Sequence, residues 1–199
     1  MSYSDFNLKQ VKELFQLTII DEKDLFSQVS QKPISQYLND TLNYNVPLAM
    51  AIGTEKAKSE LIISNVLLEV RKILNNKVSF FSGVILDVDK EKGLSGFCDF
   101  ILSKSEEQLY MTAPIITIVE AKNDYIMGGL GQCIAEMVAA SLFNKGEGSE
   151  LPAIYGVVTT GNIWKFLTLE NNTVHVDFNE YHISQIEKIV SILVNMIER

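Results

Sequence analysis

The sequence predicts a protein of the α/β class, in which helices and strands alternate along the chain. Apolar, β-branched runs of strand length recur in the middle of the sequence. Segments with apolar residues at helical spacing lie before, between and after these runs. The 199 residues, of which 47% are hydrophobic, suffice for one domain with a sizeable core. We therefore expect a single domain spanning residues 1–199.

Residues 1–50 are predicted to form an N-terminal extension of short helical pieces. Asp5 is a suitable N-cap for the first piece, and Pro33 suits the start of the second. The tract Asn-Tyr-Asn-Val-Pro at residues 43–47 indicates a loop or an extended connector. The extension thus precedes the strand-rich part of the chain.

The central region is predicted to begin with a helix from Thr54, a suitable N-cap, to about Leu74. Strands alternate with further helices after it, and the chain closes with an amphipathic helix. The predicted strands are Val78–Val88, Gly96–Leu102, Pro114–Glu120, Ala153–Thr159 and Ile163–Leu169, with a short edge strand at residues 174–176. Two more helices are predicted after the first. One spans Gln132–Phe143 and is preceded by the glycine-rich tract Gly128–Gly131, and the other covers residues 180–199.

Two acids and a lysine lie in unusually apolar surroundings. Asp99 is the single acid of one predicted strand, and Glu120 and Lys122 stand at the end of the run Ile115–Val119. Burying charge without partners costs several kcal/mol. A divalent metal would pair both carboxylates, and the lysine could serve the reaction that the metal supports. These residues are therefore the candidate site.

The order of these elements, with the residues they carry, resembles the PD-(D/E)XK nuclease superfamily. The order is helix, strand, strand with Asp99, strand ending in Glu-x-Lys, helix with Gln132, two strands and a helix. The resemblance covers roughly residues 54–170. It is closest to the N-terminal nuclease domain of type I restriction-enzyme motor subunits and to small stand-alone bacterial relatives. The paired strands around the Thr-Gly turn at residues 155–166 also look like that group.

The resemblance implies a restriction-endonuclease-like core, in which a central mixed β-sheet is flanked by helices. It implies that Asp99, Glu120 and the backbone carbonyl of Ala121 hold Mg²⁺, for which Mn²⁺ can substitute. Lys122 would orient or deprotonate the attacking water, since side chains two residues apart in a strand share one side. The implied activity is Mg²⁺-dependent hydrolysis of phosphodiester bonds, with DNA as the expected substrate.

Two further positions follow from the same resemblance. The superfamily often places an acid on its first core helix, and Glu60 and Glu69 both remain candidates. Glu60 precedes Ile63 and Leu67 by three and seven residues, so an α-helix would turn all three to one face. Among the helix residues, Gln132 is expected to hydrogen-bond the active-site lysine, a water or the nucleic-acid backbone.

Other features of the sequence weigh against a simple transfer of function. Cys98 stands where the superfamily's name-giving proline would precede the aspartate. The net charge is −8 and the pI about 4.8, whereas non-specific nucleic-acid binders usually carry a basic surface. The alternative hypothesis is a catalytically silent module of the same fold that acts in protein interaction or regulation.

The remaining expectations concern membrane association, cellular compartment and partners. No run approaches about 18 uninterrupted apolar residues, so no membrane span is expected. The two cysteines, Cys98 and Cys133, lack metal-type spacing, which favours a reduced, cytoplasmic protein. Nucleic acid is the expected partner, and a homodimer would suit cleavage of both strands of a duplex.

Overall fold

A mixed eight-stranded β-sheet forms the centre of the computed structural model, which describes residues 1–199. The helices are α1 (Leu8–Leu14), α2 (Gln36–Ile52), α3 (Glu55–Lys58), α4 (Ser64–Ile73), α5 (Ile126–Gly146) and α6 (Ile186–Glu198). The strands are β1 (Thr18–Ile20), β2 (Ser79–Ile85), β3 (Phe97–Ser103), β4 (Ile115–Ala121), β5 (Ile154–Thr159), β6 (Ile163–Glu170), β7 (Thr173–Val176) and β8 (Tyr181–His182).

The strands lie in the order β1-β7-β6-β5-β4-β3-β2, and β8 pairs with β6. Strands β4 and β5 run parallel, as do β1 and β7, whereas the other pairs are antiparallel. The connection between the parallel strands β4 and β5 contains α5, as a crossover of this kind usually does. The predicted α/β class, with helices flanking a mixed sheet, is confirmed.

Two apolar clusters cover the two faces of the sheet. One joins the sheet to α2, α4 and α6, and includes Leu38, Leu67 and Leu193. The other joins it to α5 and the N-terminal segment, and includes Tyr3 and Cys133. Central strands β4 and β5 are buried along their whole length because both faces are covered.

Short helices are predicted for the N-terminal extension, and the structure differs from that prediction in two ways. Strand β1 adds to the edge of the sheet by pairing in parallel with β7, which is therefore not an edge strand. Helix α2 continues through the predicted connector at residues 43–47, with Pro47 inside it. Burial of Leu42 and Ala49 on either side of this segment stabilises the helix, since packing often outweighs local propensity.

The helix predicted from Thr54 exists, and the Thr54 side chain caps it by accepting from the amide of Ala57 at 3.2 Å. A π-helical turn at Ser59–Ile63 separates α3 from α4. The hydroxyl of Ser64 donates to the Glu60 carbonyl oxygen at 2.7 Å. A π turn contains more residues than an α turn. Residues that are three or four positions apart across it therefore no longer lie on the same face of the helix.

Helix α5 begins at Ile126, six residues before the predicted start at Gln132, so the glycine-rich tract lies inside its first turns. Both Gly129 and Gly131 are buried there. By length and composition alone α5 could cross a membrane, and 67% of its apolar window is buried inside the fold. Packing against the sheet accounts for its apolar composition.

Candidate functional site

Asp99 and Glu120 lie beside each other on the neighbouring strands β3 and β4. The last antiparallel pair of the two strands joins Phe100 to Val119. Asp99 directly precedes Phe100, and Glu120 directly follows Val119, so the two acids lie at the same level. The amide of Ala121 donates to Oδ2 of Asp99 at 2.8 Å. The carboxylate of Asp99 therefore accepts a β4 amide at the point where the regular pairing of the two strands ends.

Glu120 is the most buried acid of this pair, with 2% of its surface exposed. Lys122 lies two residues further on the same side of the chain, and its Nζ is 2.5 Å from Oε1 of Glu120. The other oxygen of that carboxylate, Oε2, is buried and has no hydrogen-bond partner. The expected trio of Asp99, Glu120 and Lys122 is thus brought together, with one acceptor left unsatisfied.

Helix α5 extends this trio into a hydrogen-bonded chain. Nζ of Lys122 donates to Oε1 of Gln132 at 3.0 Å. Nε2 of Gln132 then donates to Oε1 of Glu136 at 3.0 Å. Glu136 is fully buried, and its Oε2 also lacks a partner. The predicted contact between Gln132 and the lysine is therefore present, although Gln132 lies in the second turn of its helix.

Gly129 allows α5 to lie this close to Lys122. A Cβ atom added at Gly129 would be 2.7 Å from Cγ1 of Val158 and 3.0 Å from Cγ of Lys122. Real Cβ atoms do not tolerate contacts of that length with packed neighbours. The absence of a side chain at this position thus lets the lysine stem pass between α5 and the sheet.

Burial dominates the electrostatics of the three carboxyl groups. Desolvation, followed by repulsion from Asp99, raises the pKa of Glu120 to about 8, although Lys122 opposes the shift. Desolvation also raises the pKa of Asp99 against the effect of the Ala121 amide. It raises the pKa of Glu136 well above its ordinary value. Without a further positive charge, the cluster therefore favours carboxyl groups that hold protons.

The cluster favours the charged form of Lys122, whereas it favours the neutral form of the carboxyl groups. Desolvation by itself lowers the pKa of an ammonium group, but attraction and hydrogen bonding to Glu120 outweigh it. The pKa of Lys122 is therefore raised, and the side chain is positively charged at neutral pH. A single ammonium faces three carboxyl groups.

The donor set fits a hard divalent cation. Asp99, Glu120 and the Ala121 carbonyl would supply two carboxylates and one backbone oxygen, with waters completing the octahedron that Mg²⁺ prefers. The partnerless Oε2 of Glu120 is an acceptor of the kind such an ion would use. No group of three or more His, Cys, Asp or Glu side chains is arranged to hold a metal. Side chains alone would therefore form an incomplete ligand set.

Neither predicted helix acid reaches this cluster. Glu60 has a side chain that is 64% exposed, and it lies 3.7 Å from Lys56. The π turn explains this error, because Ile63 is fully buried whereas Glu60 points to solvent. Glu69 is buried, but it accepts from the amide and hydroxyl of Ser35 at 2.7 and 2.8 Å. Glu69 thus stabilises the start of α2.

Glu55 is an acid that the sequence analysis did not single out. Its negative charge contributes to raising the pKa of both Glu120 and Lys122. It stands in the first turn of α3, directly after the Thr54 cap. Acids are common in first turns because they stabilise the helix dipole, so its position in the sequence alone indicated only a helix start.

Lys58 is the second residue that the sequence analysis missed. Its side chain is 8% exposed, and its Nζ donates to the carbonyl of Asn123 at 2.5 Å and lies 3.5 Å from Asp124. These contacts fasten α3 to the segment that directly follows Lys122. An α-helical spacing could not single it out, because the π turn at Ser59–Ile63 directly follows Lys58.

Neither a scan against models of known protein families nor a search of curated proteins found a match for this chain. The interpretation of the site therefore depends on its own geometry and chemistry.

Proposed function

We propose that this protein is a Mg²⁺-dependent nuclease that hydrolyses phosphodiester bonds of DNA on a restriction-endonuclease-like core. The observation that carries the proposal is the meeting of Asp99, Glu120 and Lys122 on two neighbouring strands, with Oε2 of Glu120 left unpartnered. Burial of a partnerless carboxylate oxygen is costly unless a ligand satisfies it. A cation bound there would remove that cost.

The order of elements around the site supports the restriction-endonuclease-like core. The helix α3–α4, the strand β2, the Asp99 strand β3, the Glu-x-Lys strand β4 and the Gln132 helix α5 follow each other along the chain. Strands β5 and β6 then continue the sheet beyond β4. This order of chemistry-bearing residues on successive elements supports the proposed core.

Each residue of the trio has a role in this chemistry. Mg²⁺ held by Asp99, Glu120 and the Ala121 carbonyl would lower the pKa of a bound water and stabilise negative charge on the phosphate. Lys122, which is positively charged, would orient that water, and its charge would offset the charge of the phosphate. Gln132 fixes the position of the lysine ammonium by accepting its hydrogen bond.

The alternative is a catalytically silent module of the same fold that acts through protein contacts. The short ion pair between Lys122 and Glu120 favours it, because a lysine that neutralises a carboxylate competes with a metal. The net charge of −8 also favours it over an enzyme that holds extended duplex DNA. The two hypotheses differ most directly in metal binding.

Calorimetric titration of the protein with Mn²⁺ and Mg²⁺ tests the proposal without a choice of substrate. Saturable binding is expected for the natural protein and for Asp87→Asn, whose acid lies in a turn and pairs with Lys90. Binding should be lost in Asp99→Asn. Metal-dependent cleavage of plasmid, linear and single-stranded DNA should then be lost in the same variant.

Absence of metal binding and of cleavage, also with oligonucleotide added to complete the site, would reject the nuclease and favour the silent module. Equal cleavage by the natural protein and Asp99→Asn would instead point to a contaminating enzyme and reject the assigned site.

A further inference from the structure

Helix α2 exposes large apolar side chains along its whole length. Two tyrosines are the most exposed of them, with 69% of Tyr37 and 76% of Tyr44 accessible. Two aliphatic side chains follow, with 43% of Leu48 and 50% of Ile52 accessible. We call these four residues the α2 stripe.

The α2 stripe lies on one side of the helix because of its spacing. Intervals of seven, four and four residues return to neighbouring positions around a continuous α-helix. The opposite side of α2 packs against the fold through the buried Leu38, Leu42 and Ala49. A surface helix normally carries polar or charged residues away from its packed face. Part of the exposed face of α2 is instead apolar, as expected of a contact surface.

The charge of the chain favours contact between two copies at this helix. Each copy has a net charge of −8, so like charges repel when other surfaces approach. Asp40 is the only charged residue of α2, and Gln36 donates to its carboxylate at 2.7 Å. A basic partner would be recognised by acidic side chains, which the α2 stripe lacks. A second copy, in contrast, meets little like-charge repulsion there.

The α2 stripe is self-complementary when a second α2 lies against it in the opposite direction. A two-fold axis near Tyr44 would set Tyr37 against Ile52 of the second copy, and Thr41 against Leu48 of the second copy. Each contact then occurs twice, as in any isologous interface. The two copies of Tyr44 would meet beside the axis, where aromatic side chains pack favourably. Such a contact closes after two copies.

The exposed area is of the size that a weak dimer needs. Aromatic side chains bury roughly 150–250 Å² each, so the exposed parts of Tyr37 and Tyr44 supply roughly 200–350 Å² per copy. Contributions from Leu48, Ile52 and both copies bring the total toward the roughly 1,000 Å² that marks a specific interface. This area lies at the low end for stable complexes.

We propose that the α2 stripe is the contact between two copies of this chain, which associate through it as a weak antiparallel dimer. The proposal is independent of the nuclease activity, because neither the metal nor the substrate takes part in the contact. It assigns an interface to the homodimer that cleavage of a duplex would use.

Sedimentation of the natural protein from about 1 to 300 μM tests the proposal. A reversible equilibrium between monomer and dimer is expected, with a dissociation constant of roughly 1–100 μM. Tyr44→Asp places two negative charges beside the axis and should raise this constant by roughly 30-fold or more, as loss of a central contact residue does. Tyr37→Asp, near the start of the helix, should weaken the dimer in the same direction.

Two control variants isolate the α2 stripe. Tyr44→Phe keeps the ring and should retain the dimer. Tyr110→Asp adds the same charge at a tyrosine that is 64% exposed on the connection between β3 and β4, and should also retain it. Melting temperatures measured by circular dichroism on the same samples show whether each variant is folded.

Cross-linking tests the antiparallel arrangement. The natural cysteines, Cys98 and Cys133, are buried, so new surface thiols can be addressed separately. A short bis-maleimide should join Thr41→Cys to Leu48→Cys when the two variants are mixed. Each variant alone should give much less cross-linked product, because an antiparallel contact does not bring identical positions away from the axis together.

Several results would overturn the proposal. A natural protein that stays monomeric up to about 300 μM has no such interface. A dimer that both folded aspartate variants leave intact lies at another surface. Cross-linking of Thr41→Cys to itself at the level of the mixture would reject the antiparallel arrangement. Co-sedimentation of a monomer with phosphatidylcholine vesicles, lost in Tyr44→Asp, would assign the α2 stripe to a lipid surface instead.

Discussion

Nζ of Lys122 lies 2.5 Å from Oε1 of Glu120, a carboxylate two residues earlier in the same chain segment, while Oε2 of that carboxylate has no partner. The ammonium therefore satisfies only one side of a buried acid. Gln132 holds the same ammonium at 3.0 Å. Lys122 is thus fixed at the site by two acceptors, and it competes with any cation for Glu120.

Replacing the lysine should separate metal binding from catalysis. Lys122→Met removes the competing charge, so calorimetry should show Mn²⁺ affinity that is unchanged or higher. Cleavage should fall by roughly 100-fold or more, as expected when a fixed positive charge beside the reacting phosphate is lost. Lys56→Met, at an exposed site, is the control and should change neither quantity. Cleavage at the natural rate by Lys122→Met would remove the lysine from the mechanism.

The two acids near the start of the first core helix should behave differently. Glu55 raises the pKa of Glu120, so Glu55→Gln should lower that pKa and extend Mn²⁺ binding to lower pH. Glu60→Gln should leave the pH dependence unchanged, because its side chain is exposed and paired with Lys56. Calorimetry from pH 5 to pH 8 measures both effects. A shift in Glu60→Gln alone would restore the assignment made from the sequence.

Stability of the metal-free protein should depend on pH through Glu120. Its pKa is about 8 in the folded protein and 4.5 ordinarily, so the folded state binds more protons between these values. The free energy of unfolding should therefore be highest near the lower value and fall as the pH rises toward 8. Glu120→Gln should flatten this dependence in urea denaturation. A free energy that rises with pH in the natural protein and not in the variant would contradict the assignment.

Gly129 should tolerate no side chain. The added methyl group of Gly129→Ala would meet Val158 and the stem of Lys122 at 2.7 and 3.0 Å. We expect a loss of about 1–3 kcal/mol in stability, together with slower cleavage because Lys122 is displaced. Gly146→Ala, at the end of the same helix, meets no atom within 4 Å and should be neutral or slightly stabilising. Equal melting temperatures for the two variants would show that α5 can shift away.

Several features of the site could be predicted from local sequence. The β-branched run before Glu120 specified a buried strand, and period-two alternation placed Lys122 on the side of Glu120. The family resemblance offered the lysine, a water or the nucleic-acid backbone as partners of Gln132, and the contact with the lysine is present. The paired strands expected at residues 155–166 are also present as β5 and β6, and the indole of the buried Trp164 donates to the Gly161 carbonyl.

Other features were decided by contacts between distant segments. Strand β1 has only three residues and is stabilised by pairing with β7, so no local sequence pattern indicated it. The π turn at Ser59–Ile63 rotated Glu60 away from the core, and an α-helical period could not reveal that change. Glu69 accepts a hydrogen bond from Ser35, a residue 34 positions earlier in the chain.

The sequence by itself thus determined the class of fold, the buried strands and the identity of the central trio, because these depend on periodicity and on charge placed in apolar runs. The tertiary structure alone decided which helix acid lies near the trio and how Lys122 is held. Those relationships depend on the register between strands, on the helical turn type and on the close approach of α5 at Gly129, which are set by packing between segments far apart in the chain.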